Sequence, residues 1–228
     1  MTDLGTTTDV KALRKIFNPD GLHLVDIGCG DGDLARKLAY VGATVIGIEP
    51  DPVQAKKNAH AEPVEHLSFY QARATQLPLE ESSIDGLIFS LSLHHIPQNE
   101  MQESIDEAFR VLKATGFMMI NEPLLEGSYN DVIKPFHDET EVRLQAIAAI
   151  NDFAKPLYSE WKQYFYTTET VYKSFEEFTD YYLNISYSFM NPDIIISDIV
   201  RERFEATREG EVYVLRQPMR IDYFTTPA

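Results

Sequence analysis

The run Leu24-Val25-Asp26-Ile27-Gly28-Cys29-Gly30-Asp31-Gly32 constrains this chain more than any other stretch. An apolar segment leads into three glycines within five residues. A helical pattern follows through Leu34, Leu38 and Val41 to a stop at Gly42. A second apolar run, Val45-Ile46-Gly47-Ile48, then ends on Glu49. This order predicts strand, tight turn, helix, strand and carboxylate, the first unit of a Rossmann-like sheet. Glycines let the backbone approach a ligand where a Cβ would clash. A carboxylate at the end of the second strand can accept hydrogen bonds from both hydroxyls of a ribose diol.

The spacing separates this loop from a dinucleotide fingerprint. That fingerprint is G-x-G-x-x-G, whereas Gly28, Gly30 and Gly32 give G-x-G-x-G with an acid, Asp26, two residues before the first glycine. An acid there would repel a pyrophosphate and welcome an ammonium or sulfonium. Three later segments go with it: Ala72-Arg73-Ala74-Thr75-Gln76-Leu77-Pro78-Leu79, the strand pattern Ser83 to Ser90, and Arg110-Val111-Leu112-Lys113-Ala114-Thr115-Gly116. Over roughly residues 22–123 the sequence resembles the class I S-adenosylmethionine-dependent methyltransferases, whose motifs look like V-D-I-G-C-G-x-G, G-D-A-x-x-L-P-F and R-V-L-K-P-G-G.

The resemblance implies S-adenosylmethionine as cofactor. Gly28 and Gly30 would cradle its homocysteine part, with Asp26 facing the ammonium directly or through water and Glu49 holding the ribose. Cys29, a small side chain inside the loop, Pro50, Ser90 and Leu91 complete the expected cofactor set with Arg73 and Ala74 at the adenine. Arg73 departs from the family, which has Asp or Asn there. A guanidinium cannot accept from the adenine amino group, so either the backbone at Ala74 and Thr75 does so or Arg73 stacks on or fences the ring.

The remaining bounds are looser. No apolar run reaches the roughly 20 residues of a bilayer span, and Met1 to Asp9 lacks the basic start and apolar middle of a signal peptide. With a single cysteine the expectation is a cytoplasmic protein. The net charge of −16, from 36 acids and 20 bases, disfavours nucleic acid as a partner. It serves solubility, or a preference for a cationic or neutral small substrate.

Elsewhere the pattern predicts a helix over 9–17 and another after the cap Asp51-Pro52, and a third strand at Leu67 to Tyr70. A helix follows from Met101 to Leu112, stopped near Gly116, and leads to a fifth strand at Phe117 to Asn121. Residues 124–136 read as loop. Asp138-Glu139-Thr140-Glu141 reads as a capping box before a helix, and Ser174-Phe175-Glu176-Glu177 as another before a helix over 175–183. Residues 193–208 read as one helix. Val212 to Leu215 and Met219 to Phe224 read as a closing hairpin turned at Gln217-Pro218.

Candidate chemistry lies at the ends of the fourth and fifth strands. His94 or His95 could serve as a general base beside the methyl group; the alternative is a turn in which one ring packs and the other caps a helix. A zinc pair is not expected, because adjacent histidines in an extended chain point to opposite faces. Glu122, His137 and Arg143 are candidate substrate residues. The aromatic segment 158–190 either fills a core or builds a cage for an ammonium or aromatic substrate, with Tyr164 and Tyr166 as first candidates.

The resulting expectation is one α/β domain: a Rossmann-like, seven-stranded, mostly parallel sheet with helices on both faces and an antiparallel last hairpin. Residues 22–123 would bind the cofactor, about 124–190 would cap the substrate, and 191–228 would close the fold. The reaction implied is in-line methyl transfer to nitrogen, oxygen or sulfur of a small molecule, by a monomer or homodimer with no membrane or metal partner. Two alternatives remain: the same chemistry on a protein or RNA, and a non-catalytic S-adenosylmethionine-binding subunit.

Overall fold

The computed structural model describes residues 1–185 and 190–225; Tyr187 and Phe189 of the aromatic segment lie outside the described residues. The glycine-loop unit forms as its sequence pattern predicts. Strand β1 (Thr2–Thr6) and helix α1 (Asp9–Ile16) precede β2 (His23–Ile27), α2 (Asp33–Tyr40), β3 (Thr44–Glu49) and α3 (Pro52–His60). At α3 the Asp51 side chain accepts from the Val53 N–H, and Pro52 fills the first turn where no donor is needed. Strands β4 (Leu67–Gln71) and β5 (Ile84–Ser90) follow, then α4 (Gln98–Val111) and β6 (Leu112–Pro123).

Hydrophobic alternation along these strands feeds two opposite layers. Val25, Leu87, Phe89, Met118 and Ile120 face Met101, Ile105 and Ala108 of α4 and Ala146 and Ala149 of α6 (Thr140–Ala149). Their neighbours Leu24, Ile88 and Met119 face Ala12 and Leu13 of α1 and Ala35 and Leu38 of α2. A one-residue slip would exchange the two sets, so the register is fixed.

After β6 the structure departs from expectation. Ser128–Ile133 is a helix, α5, where a loop was predicted. Asp138 does not cap α6 as a box; its carboxylate accepts from the Thr140 N–H and hydroxyl, and Glu139 holds the cap position. A π-helical turn over Ile150–Ala154 and the short α7 (Lys155–Leu157) lead into β7 (Glu160–Tyr172). The first part of the aromatic stretch thus enters the sheet. Helix α8 (Phe175–Leu183) is capped by Ser174, which accepts from the Glu177 N–H, as predicted. The single helix expected over 193–208 is two, α9 (Pro192–Ile195) and α10 (Asp198–Glu205), and β8 (Arg208–Glu209) precedes β9 (Val212–Thr225).

The closing hairpin is a correction. Val212–Thr225 is one continuous strand, antiparallel to both β6 and β7. Pro218 is tolerated in mid-strand for a geometric reason. Its carbonyl accepts from the Leu124 N–H, on the β6 side, where β6 itself ends at the pair Pro123–Met219. The donor that proline lacks falls on that same side, beyond the last β6 pair, so the ladder to β7 loses nothing. The full order is β1-β7-β9-β6-β5-β2-β3-β4, with β8 on β9. The sheet is mostly parallel, and β9 runs against β6 and β7.

The aromatic segment mainly fills a third core beside the sheet. Tyr172, Phe175, Phe178 and Tyr182 pack with Phe204, Tyr213 and Ile195. Among the described residues no helix is long and apolar enough to cross a membrane.

Candidate functional site

Strand order reverses direction between β2 and β5: the chain leaves β2 toward β3 and β4 and returns to β5 on the other side. Crevices at the carboxyl ends of strands around such a switch are where open α/β sheets take ligands. Here a cavity of about 1110 Å³ opens at that edge, somewhat above the ~300–1,000 Å³ of a pocket for one drug-sized ligand. Gly28, Cys29, Gly30, Glu49, Pro50, Arg73, Ala74, Ser90 and Leu91 line one end; His94, His95, His137 and Arg143 line the other.

The loop has the geometry that the glycines imply. Gly28 lies at φ +68, and a Cβ there would stand 2.7 Å from the Ser92 Cβ. Gly30 lies at φ +54 with nothing within 4 Å of its would-be Cβ, leaving bare backbone against the cavity. The Glu49 carboxylate accepts from the Gly30 N–H at 2.9 Å through Oε2 and from the Asp51 N–H at 2.9 Å through Oε1. It therefore ties loop to strand and retains lone pairs for a diol. The bare backbone, the anchored carboxylate and the cavity's size fit an adenosyl amino acid.

Asp26 is a correction to the expected set. It is buried and lies outside the cavity lining. One of its oxygens, Oδ2, has no partner. Burial, then the nearby Glu49 charge, pushes its carboxyl up to about 7. The same burial, with Asp26 and Glu49 beside it, pushes the Cys29 thiol up, so that side chain is an inert filler. Arg73 lines the cavity at the end of the glycine loop, and its guanidinium is held by Glu100 of α4 at 2.7 Å. It fences the cavity together with Glu100, which also lines it.

At the far end, Glu122 does not reach the cavity. Buried at the end of β6, it accepts from the Leu93 N–H at 3.0 Å and pairs with Nδ1 of His94. It thereby staples the 3-10 turn over Leu93–His95 to the sheet. That turn overturns the extended-chain expectation: the His94 and His95 rings lie 4.1 Å apart, tilted by 46°, on one side of the chain. Burial pulls the His94 imidazole down, but Glu122 and then Glu139 outweigh it and push it up to about 9. A ring so held has no lone pair to serve as a base. His95 is held below the ordinary histidine value by burial and by His94, and so presents a neutral ring in the cavity. Its side chain is 62% exposed, since the space around it is the open cavity.

Glu139 sits among these groups. Its Oε1 lies 3.0 Å from Nε2 of His137, 3.7 Å from Nε2 of His94 and 4.0 Å from Nε2 of His95; Oε2 accepts from Arg143 at 2.7 Å. Its carboxyl is held far below the usual range, its partners outweighing its burial.

Tyr164 and Tyr166 form no cage. Neither lines the cavity, and both pack in the β-sheet core. The Tyr166 hydroxyl lies between Asp9 at 2.7 Å and Asn121 at 2.9 Å. The aromatic wall comes instead from Tyr129, Tyr181 and Tyr182. Sequence reading also missed Ser92 and Gln217. Both line the cavity, both are buried, and each has an oxygen without a partner, Oγ and Oε1 respectively. Ser92 was adjacent to a recognised motif; Gln217 was hidden because its strand read as a turn.

Parallel strands around a switch point, a bare glycine loop and an anchored carboxylate define a protein that binds an adenosyl-type cofactor. The comparisons with known proteins specify which. Residues 25–120 match the family described as methyltransferase domain. The ubiquinone/menaquinone biosynthesis C-methyltransferase UbiE of Rhizobium rhizogenes is 26% identical over 171 residues, 72% of this chain and 62% of that protein. An uncharacterized methyltransferase of Geobacillus thermodenitrificans is 24% identical over 192 residues, 84% of this chain and 83% of that one. In fold, the chain is similar to an Anabaena variabilis protein from an antibiotic biosynthesis pathway, with a TM-score of 0.64 and 20% identity over 95% of this chain and 96% of that one. Over residues 25–120 the chain carries a class I S-adenosylmethionine-dependent methyltransferase domain, with S-adenosylmethionine as the methyl donor. It spans a little under two thirds of the length of the UbiE C-methyltransferases it matches.

Proposed function

We propose that this chain transfers a methyl group from S-adenosylmethionine to a small-molecule acceptor held between His95, Ser92, Arg143 and the tyrosine wall. The observation that carries the reading is one continuous cavity, with the glycine loop and Glu49 at one end and these side chains at the other. The cofactor supplies a sulfonium methyl that an in-line nucleophile can take. Gly28 and Gly30 leave backbone bare for its amino-acid part, Cys29 keeps the loop floor small, and Glu49 accepts from its ribose. Pro50, Arg73 and Ala74 bound the adenine end, with Ser90 and Leu91 beside the methionine end. Asp26 acts through the loop it underlies.

Alignment and exclusion of water are the main work of such a site. His95 carries the lone pair at the acceptor end, so an acceptor O–H or N–H within its reach is polarised for attack. Glu122 positions the His94–His95 turn, and His137 and Arg143 hold Glu139. The buried donors there favour an aromatic acceptor bearing an oxygen, nitrogen or sulfur nucleophile over a purely cationic one. The C-methyltransferase relatives add carbon as a second possibility for the acceptor atom.

The test is a single-turnover assay with methyl-labelled cofactor against phenols, catechols, amines and thiols. Labelled product from one class, lost in His95→Ala with the fold intact, supports the reading. Methylation of RNA or protein alone, or no product despite cofactor binding, refutes it.

A further inference from the structure

The cluster at the acceptor end has the construction of a metal centre. One ligand atom from each of His94, His95 and Glu139 lies within 4.8 Å of the others. The Glu139 Oε1 stands 3.7 Å from Nε2 of His94 and 4.0 Å from Nε2 of His95, too far for a hydrogen bond in either case. Ligand atoms about 2.1 Å from a shared ion stand about 3.0–3.4 Å apart. The Glu139 oxygen therefore stands a few tenths of an ångström farther from each nitrogen than an ion requires, and the His95 ring is exposed.

The surroundings match the requirement that ligands be oriented from behind. Nδ1 of His94 is engaged by the buried Glu122, which leaves Nε2 pointing into the cluster. Glu139 is held by Arg143 on Oε2, at 2.7 Å, and by His137 on Oε1, at 3.0 Å. Nε of Arg143 and Oγ of Ser92 are buried without protein partners at the same end of the cavity. Two imidazoles and one carboxylate with a face left open to a cavity is the donor set of a divalent first-row transition metal, not of calcium or magnesium.

We propose that His94, His95 and Glu139 bind one divalent transition-metal ion, with its open coordination positions facing the acceptor. The ion takes over the His95 lone pair and polarises an acceptor oxygen as a Lewis acid. Chelating acceptors such as catechols or enolised keto acids are then the favoured class. Binding displaces the proton that Nε2 of His94 otherwise carries, which passes to solvent. Only the ion's role rests on the proposed methyl transfer; its binding does not.

The experiment is titration of the chelator-treated full chain with Co²⁺, without any adenosyl ligand, read by visible absorption and by calorimetry. The expected result is one ion per chain with a ligand-field spectrum. His95→Ala and Glu139→Gln each weaken it at least 100-fold, Glu122→Gln weakens it 10–100-fold, and His60→Ala on the exposed face of α3 leaves it unchanged. Thermal melts of all four variants confirm the fold. Absence of binding overturns the proposal, as does binding that survives in both His95→Ala and Glu139→Gln. Methyl transfer at full rate in the metal-stripped chain would remove the Lewis-acid role while leaving the proposed function standing.

Discussion

Asp26→Asn tests the electrostatics under the glycine loop. In the native chain the Asp26 carboxyl is raised from 3.8 to about 7, by burial and then by Glu49. The native state therefore holds a proton between roughly pH 4 and 7 that the unfolded chain has released. Stability falls as pH rises through that window. The shift is about 3 units at 1.36 kcal/mol each, so ionised Asp26 costs the fold about 4 kcal/mol above pH 7 and nothing below pH 4. Asparagine keeps the shape without the charge. Urea denaturation of both proteins from pH 4 to 8, without ligand, should give matching stabilities at pH 4. The variant should then gain steadily, to about 4 kcal/mol at pH 8. Parallel curves across that range would show that Asp26 is not desolvated as the structure has it.

Gly28→Ala places a Cβ 2.7 Å from the Ser92 Cβ at φ +68; a loss of more than about 2 kcal/mol is expected, from the left-handed backbone and the clash together. Gly30→Ala meets nothing within 4 Å, so its denaturation midpoint should fall less, while calorimetry should show adenosyl affinity lost in both variants. Tyr166→Phe removes the hydroxyl between Asp9 and Asn121 and should cost about 1–3 kcal/mol in urea melts. Its adenosyl affinity should stay unchanged, since the ring lies outside the cavity; a lost affinity would restore it to the site.

The glycine-loop end of the candidate site was legible because local chemistry dictates it. Positive-φ glycines, the Asp51-Pro52 cap and the acid closing β3 each act within a few residues of one another. The histidine end was not, because its groups come from distant elements. Glu122 closes β6, Glu139 opens α6, and the two meet only at the turn that carries His94. Whether adjacent histidines diverge or face together depends on that turn being 3-10 and not extended, which Glu122 enforces from 28 residues away. Strand β7 escaped notice because Tyr164, Phe165 and Tyr166 run consecutively and break the alternation of a half-buried strand. Pro218 disguised β9 because a proline reads as a break unless the neighbouring strand is known to stop beside it.

The central claim is that the glycine loop and Glu49 bind an adenosyl cofactor. Calorimetric titration with S-adenosylmethionine, S-adenosylhomocysteine and NAD, on wild type, Glu49→Ala and Glu49→Gln, tests it most directly. Both adenosyl ligands should bind and NAD should not. Both substitutions should weaken binding about 10–100-fold, the worth of charged hydrogen bonds of 1.5–3 kcal/mol. Tight NAD binding without either adenosyl ligand, or affinity indifferent to both substitutions, would contradict it.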